Sequence, residues 1–397
     1  MRMRRLRDAE QVVRHTHPRA DRLDDLAHCY MLLGTILERK NDRDGADEAR
    51  LDARAYAFSI PSVALHSELR YYEAHAAVLR RDLPTAQKIA QEALSEVPGS
   101  HDEPHSRPLG VARAYLFELL GFIEGHHGRF HDQIACLSSA LYELDTLDRR
   151  DVWAEASLLN NLASVVGELY VPHIETTMRS RAESLPWSTE THGWAYNVHR
   201  ALGWHSALAG DVSNCMRDLR EADVFATSNA WRIDALLDRA YLFHELGEAN
   251  AARDRLDEAH RLSQTVDWAS TDGEERLALL WLAENMASHN MAHAAFVVNQ
   301  YKAIRKPLDP RFAYSNDRRF RGHELDALGA VAALTGQTMR GLTMLNEARD
   351  LWQTLGFAWR AAKTARTIAR ITHSESDLAE ARHRAAPWPN SWLANAA

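Results

Sequence analysis

Polar and aromatic side chains interrupt three apolar segments in the middle of the sequence. The set is Asn160, Asn161, Ser164, Asn197, Arg200, Trp204, Tyr241 and His244. An Asn side chain can donate to a peptide carbonyl and accept from a peptide N–H, and the Arg fork can hold a carboxylate. Trp and Tyr provide apolar anchors. This set predicts a ligand- or peptide-binding site. The alternative is a solvated polar helix face, with Trp204 packed between repeats.

Histidine is abundant, with 21 residues, so metal sites must be weighed. The clusters are His126, His127 and His131; His101, Asp102, Glu103 and His105; and His289 with His293. A zinc site needs about four converging ligands, and none of these spacings supplies them. We therefore expect hydrated turns and loops, with no metal and no cofactor.

Catalytic signatures are missing from the sequence. It contains no Gly-rich phosphate loop, no Gly-x-Ser-x-Gly and no zinc-protease motif. The expectation is that the protein is not an enzyme. An enzyme or nucleotide-binding protein with a cryptic site stays open as an alternative.

Composition restricts the classes of partner. The formal net charge of -8 disfavours direct nucleic-acid binding, which normally requires a strongly basic surface. No apolar run is long enough to span a membrane, and the Arg-rich start lacks an apolar signal region. The three cysteines lie far apart, which is typical of a reducing compartment. We expect a cytoplasmic protein.

The elements that must position these side chains follow from a repeated pattern. A Leu-Gly or Leu-Ala pair is followed by small residues at two later points, as in Leu202-Gly203 with Cys215 and Ala222, and Leu328-Gly329 with Gly341 and Ala348. Small residues let two helices approach to 8–10 Å at a crossing. The pattern predicts helical hairpins that stack on their neighbours, with Gly203 and Gly329 buried at crossings. The predicted turns lie near 41–45, 126–130, 210–212, 247–249 and 336–338.

About eight such units follow one another along the chain. We divide it into an N-terminal capping helix at 1–19, a repeat array at 20–355, and C-terminal capping helices with a tail at 356–397. Within the last segment, Ala358–Ile371 has the pattern of a closing helix and Asp377–Arg384 that of a short one.

The units resemble the tetratricopeptide repeat (TPR) family over about 25–355, although they are spaced more widely than its period of about 34 residues. The wide spacing looks like the sensor regions of bacterial MalT-like and Rap/PlcR-like regulators. This resemblance implies an all-α, right-handed superhelical solenoid with first helices lining a concave groove. Asn161 falls where TPR clamps for a terminal carboxylate carry an Asn, but the accompanying Lys residues are missing.

The same resemblance implies a non-catalytic receptor or adaptor in bacterial signalling or transcriptional regulation. It would hold a protein or peptide in the groove, and a homodimer is possible. A purely structural scaffold for assembly is the other alternative.

Overall fold

A computed structural model describes residues 2–16, 22–96, 107–271, 273–287, 291–304 and 318–394. These residues form nineteen α-helices and no strand, which confirms the predicted all-α class. The helices are α1 (Arg2–Thr16), α2 (Leu23–Lys40), α3 (Arg43–Phe58), α4 (Val63–Leu79), α5 (Leu83–Ser95), α6 (Arg107–His126), α7 (Phe130–Asp145), α8 (Val152–Val166), α9 (Pro172–Ser184), α10 (His192–Ala209), α11 (Val212–Phe225), α12 (Asn229–Glu245), α13 (Ala249–Ser263), α14 (Gly273–Ala287), α15 (Met291–Ile304), α16 (Arg318–Leu334), α17 (Thr338–Thr354), α18 (Ala358–Thr372) and α19 (Glu375–Ala385).

Consecutive helices pack as hairpins, among them α2 with α3, α6 with α7, α10 with α11 and α16 with α17. The five predicted turns are confirmed, because each falls between the two helices of a hairpin. Asn41, Gly128, Gly210, Gly247 and Gly336 have positive φ at these turns. Such a residue closes the last turn of one helix at little steric cost when it is Gly or Asn.

An aspartate directly after the turn residue starts the second helix in three hairpins. Asp42, Asp82 and Asp211 each accept a hydrogen bond from a backbone N–H three residues on. This satisfies one of the otherwise unpaired donors of a helix start. The turn pattern therefore encodes both the stop of one helix and the start of the next.

The predicted burial of the crossing glycines is also confirmed. A Cβ at Gly203 would lie 2.8 Å from the Leu219 side chain, and one at Gly329 would lie 3.0 Å from the carbonyl oxygen of Gly341. Both glycines are buried. The helices of these hairpins thus approach as closely as the small residues allow.

We expect Gly329→Leu to lower the free energy of unfolding by about 1–3 kcal/mol or more, because a larger side chain overpacks the crossing. Urea unfolding followed by circular dichroism measures the change. Thr343→Leu, at an exposed position of α17 in the same hairpin, is the control. Equal urea midpoints for the two variants would contradict the close approach of α16 and α17 at Gly329.

The chain divides into two compact units, residues 1–158 and 159–397. In the first, apolar side chains such as Met31, Leu69 and Leu116 form the core between hairpins. In the second, one core cluster joins α12 through α16 around residues such as Leu280 and Val297. Within the described residues, no helix is long and apolar enough to cross a membrane.

The segment after residue 355 forms the α18–α19 hairpin and a tail. The α18 helix packs on α17, and the tail places Trp388, Trp392 and Leu393 in a buried cluster with Trp204 and Leu208 of α10. A Cβ at Gly210 would lie 2.4 Å from the carbonyl oxygen of Asn390. The tail therefore lies directly against the α10–α11 turn, and only Gly fits at that point.

Candidate functional site

The predicted site residues lie on first helices of their hairpins. Asn197 of α10 donates from Nδ2 to Oδ1 of Asn160 at 2.8 Å, and Asn160 donates to Oδ1 of Asn161 at 3.3 Å. Ser164 is exposed and donates to the carbonyl of Asn161 at 2.7 Å. Within the part of the chain that the structure describes, Oδ1 of Asn197 accepts no hydrogen bond. We call Asn160, Asn161 and Asn197 the amide row.

Arg200, one turn from Asn197, already holds carboxylates of its own chain. Its Nε lies 2.6 Å from Oδ2 of Asp238, and its Nη1 lies 2.9 Å from Oδ2 of Asp234. The guanidinium also stacks 4.9 Å above the Trp281 ring. The fork that the sequence suggested for a ligand carboxylate is therefore occupied by internal partners in this structure.

The two predicted aromatic anchors contact the C-terminal segment. Trp204 is 7% exposed and stacks on Trp359 of α18 with ring centroids 5.5 Å apart. The half-buried Tyr241 meets Trp392 edge-on at 5.2 Å. Trp204 is therefore packed between helices, and its role as a ligand anchor stays a prediction. His244, at the end of α12, is exposed.

Ion pairs that join α18 to α12, to α14 and to the turn after α8 were missed by the sequence analysis. Arg360 pairs with Glu168 at 2.7 Å, Lys363 with Glu284 at 2.9 Å, and Arg366 with Glu245 at 2.7 Å. We call these three the cross pairs. The cations at 360, 363 and 366 share one face of α18, a spacing visible in the sequence. Nothing in the sequence identifies their partners.

Burial and charge act in opposite directions on the carboxyl groups of this region. Burial raises the pKa of Glu168, but the charge of Arg360 and the contact with His323 outweigh it, so the net pKa is lowered. For Asp234, burial dominates and neighbouring Asp238 adds to it, so the pKa rises to about 7 despite Arg200. Oδ1 of Asp234 is buried and has no hydrogen-bond partner among the residues that the structure describes, whereas Oδ2 accepts from the Tyr196 hydroxyl at 2.7 Å.

The raised pKa of Asp234 predicts a pH-dependent stability. Its pKa is about 3.9 in the unfolded chain, so between about pH 4 and pH 7 the folded state holds more protons and stability falls as pH rises. The amide of an Asp234→Asn variant does not titrate. The melting temperature of this variant minus that of wild type should therefore be larger at pH 8 than at pH 5. Asp350→Asn, with a 67% exposed side chain, is the control. If the difference in melting temperature between the variant and wild type is the same at pH 5 and pH 8, the pKa of Asp234 is not raised.

The histidine clusters lie elsewhere. The His126 ring packs on Phe122, and Arg129 contacts His127. His293 lies 3.0 Å from His260 through ring nitrogens. Over the described residues, no group of three or more His, Cys, Asp or Glu side chains is placed to hold a metal ion. The 101–105 cluster and His289 lie outside those residues, so the absence of a metal or cofactor stays a prediction.

Comparison with known proteins supports the fold. No protein-family description matches the sequence, and no curated protein matches it. Among solved structures, the chain is similar to a crystal structure of a Rap protein complexed with competence and sporulation factor. The TM-score is 0.53 at 14% sequence identity, covering 94% of this chain and 100% of the other. The shared feature is the helical-repeat fold.

Proposed function

We propose that this chain is a non-catalytic receptor that binds a peptide, or an extended segment of a protein, on the first-helix face of residues 159–397. The observation that supports it most is the amide row, which places three uncharged amides side by side on α8 and α10. The similarity to the Rap protein supports it too, because that protein was crystallised with competence and sporulation factor. A regulatory role in bacteria, a cytoplasmic location and a homodimer belong to the same proposal.

An extended peptide presents N–H and C=O groups that lose water on binding and must be paired again. Amides do both tasks without bringing in a charge, and Oδ1 of Asn197 is an acceptor ready for a ligand N–H. Ser164 lies beside the row and is exposed. The peptide backbone would therefore lie across α8 and α10.

The charged residues next to the amide row would couple ligand binding to the packing of the helices. Arg200, Asp234 and Asp238 lie directly beyond the row, and the cross pairs tie α18 to α12 and α14. A charged ligand group would compete with these internal partners. Binding would then change how the C-terminal hairpin packs against the preceding first helices.

The test is a random hexapeptide library displayed on phage and selected on the immobilised full chain. Affinities of the enriched peptides are then measured by fluorescence anisotropy. We expect Asn160→Ala with Asn197→Ala to weaken binding at least tenfold, because buried ligand amides lose their partners. Asn346→Ala, on second helix α17, is the matched control, since its amide donates only to Leu342 of its own helix. Peptides that bind the double variant and wild type equally would refute the proposal.

A further inference from the structure

A second candidate site lies under the C-terminal tail. Trp388 and Trp392 of the tail pack into a buried cluster with Trp204 of α10 and Trp359 of α18. Each of the four is at most 7% exposed. Arg366, also on α18, is 5% exposed, and its guanidinium carbon lies 5.3 Å from the centre of the Trp392 ring. We call these five residues the tail site.

The tail site contains hydrogen-bond donors that are closed off from water. Nε1 of each of the four Trp residues and both Nε and Nη1 of Arg366 are buried, and among the described residues they have no hydrogen-bond partner. A buried indole N–H normally finds an acceptor, because losing water without replacement costs free energy. Trp and Arg side chains can only donate. Six donors are therefore gathered in one cluster, and the group that they lack is an acceptor.

The charge balance indicates which acceptor is missing. Arg366 and Arg370 share Glu245, whose carboxylate oxygens lie 2.7 Å from Nη2 of Arg366 and 2.9 Å from Nη1 of Arg370. In the described part of the chain, neither Arg pairs with another carboxylate. Two guanidinium groups therefore face one carboxylate. A second carboxylate would balance this charge and accept from Arg366, in a bond roughly twice as strong as one to a neutral carbonyl.

The tail, residues 387–394, is held at this site by packing contacts. Its backbone and side-chain hydrogen bonds run within the tail or to Ala385 at the end of α19. Over the residues that the structure describes, no hydrogen bond joins the tail to α10, α12 or α18. Lifting the tail therefore breaks no hydrogen bond to these helices, and it opens the unpaired donors to a ligand.

We propose that the tail site binds the end of a peptide, with an aromatic last residue and a free α-carboxylate, and that the tail gives way to it. The aromatic ring takes the place of Trp392, and the carboxylate accepts from Arg366 and from neighbouring indole N–H groups. Because the tail competes for the same space, it lowers the apparent affinity for the peptide. The inference goes beyond the proposed function, since it does not depend on the amide row.

Two synthetic peptides with the sequence of residues 386–392 test the proposal. One ends in a free carboxylate, the other is amidated there, and both carry fluorescein at the N-terminus. The full-length Trp392→Ala variant vacates the ring position. By fluorescence anisotropy, we expect the carboxylate peptide to bind this variant at least tenfold more tightly than the amidated peptide does. It should also bind wild type at least tenfold more weakly, because the tail occupies the site there. Trp153→Ala, which removes a 48% exposed ring, is the matched control and should behave as wild type.

Leu393→Ala is a second, milder way to weaken the tail, because it keeps all four rings of the cluster. The carboxylate peptide should bind it several-fold more tightly than wild type, and circular dichroism checks that each variant is folded. The proposal is overturned if neither variant binds this peptide more tightly than wild type does, or if amidation leaves the affinity unchanged. Failure of the phage-selected peptides to depend on Asn160 and Asn197 would refute the proposed function and leave this inference standing.

Discussion

Replacing Trp392 by alanine will lower the free energy of unfolding of the 159–397 unit by about 3–5 kcal/mol, the usual cost of truncating a buried Trp. The side chain is 4% exposed. Its ring contacts Tyr241 at 5.2 Å and Trp204 at 6.4 Å, and the Arg366 guanidinium lies 5.3 Å from it. The tail thus acts as a packed element of this unit, and its loss opens α10 and α12 together.

Urea unfolding followed by circular dichroism measures this change without relying on the deleted fluorophore. Trp153→Ala is the matched control, because that ring is 48% exposed and should cost well under half as much. Equal losses for the two variants would mean that the tail does not pack on α10.

The substitution Glu245→Gln will destabilise the same unit by about 3–5 kcal/mol, because it removes one partner of a buried ion pair. The Glu245 side chain is 1% exposed and pairs with Arg366 at 2.7 Å and Arg370 at 2.9 Å. Arg366 is itself buried, and among the described residues its Nε and Nη1 have no hydrogen-bond partner. Loss of the carboxylate charge leaves that guanidinium uncompensated.

Glu347→Gln serves as the comparison, since that carboxylate forms a surface pair with Arg321 and its side chain is 55% exposed. Surface pairs contribute about 0–1 kcal/mol. A loss in Glu245→Gln no larger than in this control would show that α18 does not close against α12.

The hairpins could be predicted because their signals are local. Asn41 and Gly210 end one helix, and the next residue caps the following helix, all within a few positions. The turn between α4 and α5 was harder to predict because the residue with positive φ there is Arg81. A bulky residue gives no compositional sign of a left-handed turn.

The site was predicted only in part, for a related reason. Asn160 and Asn197 stand out as amides within apolar segments, and they do come together. Arg200 stood out equally, but its partner Asp238 comes from the next repeat, and no local pattern reveals that the two meet. The pair of Arg360 with Glu168 joins residues 192 positions apart, a contact that only the packing of α18 creates.

The contact between the tail and the α10–α11 turn has a consequence for protein synthesis. Translation adds roughly 5–20 residues per second, so Leu208 would precede Trp388 by roughly 10–40 s. During that interval the apolar side chains of α10 that pack on Trp388, Trp392 and Leu393 in the folded protein lack these partners. Hairpins within residues 22–96 find their partners much sooner. A chain that terminates near residue 386 would therefore leave the ribosome with this apolar surface of α10 exposed. We expect chaperones and proteases to bind such a chain.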